Sequence, residues 1–307
     1  MQAVVVGASG FIGSHLVEGL LAAGYRVKAL ARHFPGLISP AAQANPALVL
    51  SPLSMADGLA LQEAMEGADL VFHLASGSLP QSSNRNPQAD VEVNLLGALK
   101  VLEAARQAQV QRLVMVSSGG TVYGVPERVP IPETHPTEPT CSYGITKLAI
   151  EKYVALYRQL HGLDGVVLRV ANPYGERQRF DATQGVVPVF LGKALRGEPL
   201  QIWGDGRTVR DFLHVSDVVA ALLAAASYQG EERLFNVGSG QGLSLNQLVS
   251  LLEAELQRSL EVRYLPARGF DVLTNVLCIE RAQRCLGWSP HVPVTEGLHR
   301  LCASLNG

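Results

Sequence analysis

Two residues one helical turn apart suggest acid–base chemistry. Tyr143 and Lys147 stand four apart in CSYGITKLAIEKY (residues 141–153), and residues i and i+4 share a face of an α-helix. A lysine ammonium beside a phenol favours the phenolate, because a nearby positive charge lowers an acid's pKa. A phenol normally ionises near pH ~10, so such a neighbour turns it into a usable base. A chance pair on a solvated helix face explains the same two residues, and the rest of the chain must separate the readings. A second pattern is glycine-rich. Gly7, Gly10 and Gly13 in GASGFIG have the spacing of a dinucleotide-binding turn. The first allows the tight turn, the second lets backbone approach a pyrophosphate, and the third lets the helix sit close to the strand. The helix N-terminus behind it offers free N–H groups and a positive dipole end to the anion.

The elements that must position these residues alternate. Ala3–Val6 is a continuous apolar run, as in a strand buried on both faces. Ile12, Leu16, Val17, Leu20 and Leu21 recur at helical spacing, Gly24 ends that helix, and Val27–Ala31 is a second strand. Strands follow at 68–75, 112–118, 165–170 and 233–238, with helices at 91–109 and 143–161. Strand–helix alternation predicts an α/β fold, a Rossmann-type doubly wound parallel sheet. After Asn172 proline and glycine become frequent, which predicts a smaller C-terminal substrate-binding lobe. The expected division is 1–172 plus about 213–238 for the dinucleotide domain, and 173–212 plus about 239–307 for the lobe.

Composition narrows the function classes. The chain has 307 residues, is 47% hydrophobic and 17% charged, and so has ample core for a globular enzyme. A net charge of −2 without a basic run disfavours nucleic acid as a partner. The four cysteines, Cys141, Cys278, Cys285 and Cys302, form no CxxC pair and suit free thiols. No stretch is apolar enough to span a bilayer, and no charged n-region precedes the first strand; the expected location is the cytoplasm. His73 lies in an apolar strand and is expected to be a satisfied core residue. No cluster has metal-ligand spacing, so no metal is expected.

Gly7–Gly13 with the later Tyr143–Lys147 pair resembles the extended short-chain dehydrogenase/reductases. SSGGTVYG (117–124), RVANPYG (169–175), VRDFLHVSDV (209–218) and FNVGSG (235–240) resemble the NAD-dependent epimerase/dehydratase branch, closest to UDP-glucose and UDP-N-acetylglucosamine 4-epimerases. The resemblance spans nearly the whole chain. It implies that Tyr143 takes the proton of a sugar 4-hydroxyl while hydride passes from C4 to a nicotinamide. Lys147 would lower the tyrosine pKa and hold the nicotinamide ribose. The keto sugar would turn over and take the hydride back on its other face. A third group should bond the 4-oxygen. The family's serine matches Gly119 here, which leaves Ser118 or Thr121 for that task. Dehydratases and decarboxylases carry carboxylates in this stretch; Gly120 and Thr121 stand there instead.

The same resemblance implies the binding residues. For the dinucleotide they are Gly7, Gly10, Phe11, Ile12, Gly13, Arg32, Leu53, Leu74, Ala75, Ser76, Asn94, Ser117, Tyr143, Lys147 and Pro173. For the nucleotide sugar they are Ser118, Thr121, Asn172, Val186, Val187, Gln201, Trp203, Arg210, Arg268, Asp271 and Asn275. Arg210 and Arg268 would clamp the diphosphate, since a guanidinium fork matches phosphate oxygens. Asn275, smaller than the tyrosine of hexose-only relatives, would admit a 2-acetamido group. Ala31 replaces the acid that bonds an NAD ribose, and Arg32 follows it; the pattern leans to NADP over NAD. An NADPH-dependent 4-keto-sugar reductase is the alternative enzyme, and a redox sensor that binds NADP is the non-enzyme rival. Helices 91–109 and 143–161 would form a homodimer interface, as in relatives.

Overall fold

The computed structural model of the protein describes residues 1–178, 180, 185–267 and 272–305. Its centre is a seven-stranded sheet. The strands are β1 (Gln2–Val6), β2 (Arg26–Ala31), β3 (Leu48–Pro52), β4 (Leu70–His73), β5 (Arg112–Ser118), β6 (Asp164–Val170) and β7 (Leu234–Val237), in the order β7–β6–β5–β4–β1–β2–β3. Every neighbouring pair is parallel. β1 shows why its sequence is apolar throughout. Ala3 and Val5 enter one core with Leu16, Leu20 and Val218, while Val4 and Val6 enter the opposite core with Leu61, Val101 and Ile150. Period-two geometry sends alternate side chains to opposite faces, and both faces are covered. Each fully buried leucine, such as Leu16 or Leu20, contributes roughly 1.5–3 kcal/mol.

The helices expected from the sequence are present, with informative differences. The expected 91–109 helix is two pieces, a π-helix Val91–Leu96 and an α-helix Gly97–Gln107. It stops at Gln107 because Gln109 takes φ +54°, a left-handed conformation that closes the helix. The helix carrying the tyrosine–lysine pair runs Ser142–His161 and ends on Gly162 at φ +72°. Strand 68–75 contracts to Leu70–His73, since Ala75 already belongs to the turn packed against Gly7.

Beyond β6 the chain forms smaller units. Asn172–Tyr174 pairs with Phe212–His214, Leu200–Trp203 with Val262–Leu265, and Val209–Arg210 lies between Leu243–Ser244 and Thr274–Asn275. A third apolar core, with Phe190, Leu191, Leu200, Leu248 and Leu298, lies under them. No described helix is long and apolar enough to cross a membrane.

Candidate active site

The glycine turn sits at the C-terminal end of β1, at the point where strand order reverses. Gly7 has φ +92°, and a Cβ there would lie 2.6 Å from the Ala75 nitrogen. A Cβ on Gly13 would lie 2.1 Å from the Gly7 carbonyl oxygen. These two positions need glycine for backbone contact. Gly10 differs: its Cβ would meet only the Gly7 oxygen, at 3.3 Å, and its outer side faces a cavity. The helix Phe11–Ala22 starts there with no side-chain cap. Uncapped N–H groups at a helix start bind anions, so the turn fits a dinucleotide pyrophosphate.

The cavity, of about 790 Å³, runs from this turn across the ends of the central strands to the C-terminal units. It is walled by Gly10, Phe11 and Ile12, by Ser117, Ser118 and Thr121, by Tyr143, by Asn172 and Pro173, by Val186 and Val187, and by Gln201, Trp203 and Arg210. Residues far apart in sequence thus share one space. Gly7, Gly13, Leu74 and Ala75 stand behind the wall and shape the turn. Arg32 is exposed beyond β2 and has no hydrogen bond or ion pair among the described residues. The Leu53 amide donates to the Ala31 carbonyl, 2.8 Å, which fixes the β3 end beside it. Arg268 and Asp271 lie outside the described residues.

Tyr143 and Lys147 lie together at the start of the Ser142–His161 helix. Tyr143 is half-buried and Lys147 is buried. The lysine Nζ lies 5.6 Å from the tyrosine ring centroid and donates to the Val116 carbonyl, 3.1 Å, at the end of β5. Burial pushes the Tyr143 phenol up to about 12, against the Ser76 hydroxyl beside it. Burial desolvates the phenolate, while the Lys147 ammonium turns toward the Val116 carbonyl. Burial also lowers Lys147, to about 8, with Glu151 and Asp90 opposing.

His73 corrects one expectation. It is 4% exposed, yet its Nδ1 has no partner among the described residues. Desolvation, reinforced by Lys147, holds it down at about 3, so it stays neutral. Ser117 and Asn94 line up differently from a simple ligand role. The Ser117 hydroxyl donates to Glu151, which also takes Arg169 Nη2 at 2.6 Å. The Asn94 amide is committed to the 76–78 loop: its Oδ1 accepts from Gly77 N–H at 2.7 Å and its Nδ2 donates to Ser78 Oγ at 2.7 Å. Asn275 is 2% exposed, is absent from the cavity wall, and donates to the Gly119 carbonyl at 3.1 Å. It supports the wall without forming it.

A family model described as the NAD dependent epimerase/dehydratase family matches residues 3–238. The chain belongs to that family. It is 36% identical over 302 residues to a UDP-glucose 4-epimerase of Mycolicibacterium smegmatis, across 97% of this chain and 96% of that protein. It superposes on a UDP-glucose 4-epimerase of Thermotoga maritima solved with UDP-glucose, with TM-score 0.93, 36% identity and coverage of 100% of this chain and 99% of the other. A Thermus thermophilus UDP-glucose 4-epimerase in complex with NAD gives TM-score 0.90 at 34% identity, covering 100% and 99%.

In this member of the epimerase/dehydratase family, Gly119 stands where the resemblance implies a serine, and Leu277 packs against it. A Cβ there would lie 2.5 Å from Leu277 Cδ1 and 3.2 Å from the Arg169 carbonyl. Leu277 fills the space a serine side chain would use. Thr121 lies on the cavity wall, and its Oγ1 is buried without a partner among the described residues. Arg177 was missed by sequence reading. It lines the cavity at φ +68°, pairs with Glu18 at 2.6 Å, and has an unpartnered Nη1. It lies just past RVANPYG, where the motif stops being informative.

Proposed function

We propose that the chain is a nucleotide-sugar 4-epimerase acting on UDP-hexoses or UDP-N-acetylhexosamines by transient oxidation at C4. One observation carries this: Tyr143, Ser118, Thr121, Asn172 and Arg210 line the same cavity as the open face of the glycine turn. A nicotinamide dinucleotide, when bound, supplies a reversible hydride acceptor. The chain's residues do the rest. Tyr143 moves the proton of the 4-hydroxyl. Lys147, anchored on the Val116 carbonyl, places positive charge by the phenol. Thr121 and Ser118, both on the cavity wall, are the candidates to bond the sugar 4-oxygen. Trp203, Gln201, Val186 and Val187 are assigned to the nucleotide end and Arg210 to the diphosphate.

NAD fits the turn, and the unpaired Arg32 beside Ala31 supports acceptance of a 2′-phosphate as well. The proposed division keeps 1–172 plus about 213–238 for the dinucleotide and 173–212 plus about 239–307 for the sugar. A homodimer is proposed through the two helices named above. Tyr153, Leu156 and Leu160 are exposed at helical spacing on Ser142–His161, and Val91 and Leu96 are exposed on the π-helix. Exposed apolar side chains on these two helices support that interface. Four free cysteines support a cytoplasmic location.

The test is incubation of the purified chain with UDP-glucose and, separately, UDP-N-acetylglucosamine. Formation of the galacto epimer supports the reading. Absence of epimer with either sugar, in a folded protein loaded with NAD or NADP, overturns it.

A further inference from the structure

Asp90 ends the short helix Pro87–Asp90, directly before the π-helix, and is 1% exposed. Its carboxylate accepts four side-chain hydrogen bonds. Oδ1 takes Ser78 Oγ and Asn94 Nδ2, the latter at 2.7 Å. Oδ2 takes Ser142 Oγ at 2.8 Å and Thr146 Oγ1 at 2.7 Å. Ser142 and Thr146 are the residues immediately before Tyr143 and Lys147. They share a helix face one turn apart, as the catalytic pair does. One carboxylate therefore grips the turn that carries both reactive groups. Through Ser78 and Asn94 the same carboxylate holds the 76–78 loop, whose Ser76 lies beside the Tyr143 phenol.

We propose that Asp90 is a positioning residue for the reaction: it fixes the first turn of the Ser142–His161 helix against the 76–78 loop and so places Tyr143 and Lys147. This rests on the reading of Tyr143 as the base. Two further features support it. The turn has no cap from Cys141; its first amides are taken by side chains of the neighbouring segment, Ser142 N–H on Asn84 Oδ1 at 2.8 Å and Tyr143 N–H on Ser83 Oγ at 3.0 Å. The helix start is thus anchored from outside, on the segment that Asp90 itself belongs to. The segment also passes into a π-helix, a geometry common at functional sites.

A buried ionised group is costly unless well bonded. Burial pushes the Asp90 carboxyl up, and its hydroxyl and amide donors together hold it below the ordinary range. Its charge then acts on the pair. Tyr143 faces Ser76, Cys141 and Asp90; Lys147 faces Glu151 on its own helix, Asp90, and neutral His73 on β4. Asp90 raises both pKa values, so removing its charge lowers both.

The test compares Asp90→Asn, the double variant Ser142→Ala/Thr146→Val, and Tyr143→Phe, each as full chain with NAD, using UDP-glucose and UDP-N-acetylglucosamine. Asp90→Asn should lose about 10²-fold in kcat, as small misplacements of catalytic groups do, with KM nearly unchanged and its pH profile moved to lower pH. The double variant keeps the carboxylate, so it should lose kcat without that pH displacement. A folded Asp90→Asn with wild-type kcat and pH profile overturns the proposal. If Asp90→Asn does not fold, a wild-type kcat in the double variant overturns it. Turnover surviving in Tyr143→Phe sinks the base assignment instead. Crystal structures of the variants decide the positioning claim independently of turnover: a displaced turn at 142–147 supports it, and an unmoved turn refutes it.

Discussion

At the residue scale the proposed chemistry depends on a phenol that needs help to ionise. Tyr143→Phe should reduce turnover about 10²–10⁴-fold, the usual worth of a positioned acid–base group, while UDP-sugar binding measured by calorimetry persists. Thr121→Val should cost more turnover than Ser118→Ala if Thr121, of the two on the cavity wall, is the partner of the sugar 4-oxygen; the reverse order gives that role to Ser118. Lys147 stands at about 8, so its positive charge beside Tyr143 fades as pH rises through that value. His73 gives a stability prediction. Its folded pKa of about 3 lies below the ordinary 6.5. Its contribution is therefore complete above pH 6.5 and is lost as pH falls from there toward 3. His73→Leu should flatten that part of the acid limb in denaturant melts taken across pH. Pair and glycines were legible in the sequence because their spacing is their chemistry. The direction of the Tyr143 shift was not, since desolvation depends on atoms brought from other elements.

At the element scale the glycines separate by cause. Gly13→Ala places a methyl 2.1 Å from a backbone oxygen, which only movement of the turn relieves. It should cost about 1–3 kcal/mol in stability and release bound nicotinamide, measured by melting and by extraction. Restoring the relatives' serine is a sharper test. Gly119→Ser alone should destabilise because Leu277 occupies that space; combined with Leu277→Ala, itself costly at a buried site, the loss should be smaller than the sum of the two single losses. Most strands followed from apolar runs and alternation, whereas their order in the sheet required the folded chain. So did the π-helix, because its hydrophobic pattern over 91–96 matches an α-helix, and the Asp90–Asn94 bond that accompanies it appears only in three dimensions. The placement of Asn275 was illegible for a similar reason. An aligned position shows neighbourhood, but its side chain turns to Gly119 and leaves the cavity wall to others.

At the scale of the molecule, two cores flank one sheet, a third lies under the C-terminal units, and the cavity crosses strand ends and small units alike. The exposed Leu156 and Leu160, 41% and 62% accessible, predict self-association: Leu156→Glu/Leu160→Glu should convert a dimer to a monomer in light scattering, and a wild-type chain already monomeric removes the proposed interface. The fold class was readable from alternation, whereas the convergence of segments near residues 10, 120, 143, 186 and 210 on one space required the folded chain. The proposed reaction is oxidation at C4 with return of the same hydride. It is tested most directly with UDP-glucose carrying deuterium at C4 and no added cofactor beyond that retained on purification. The expected product is UDP-galactose that keeps the deuterium at C4, with no net change in nicotinamide. Loss of the label to solvent, or product that forms only as NADPH is consumed, would contradict it.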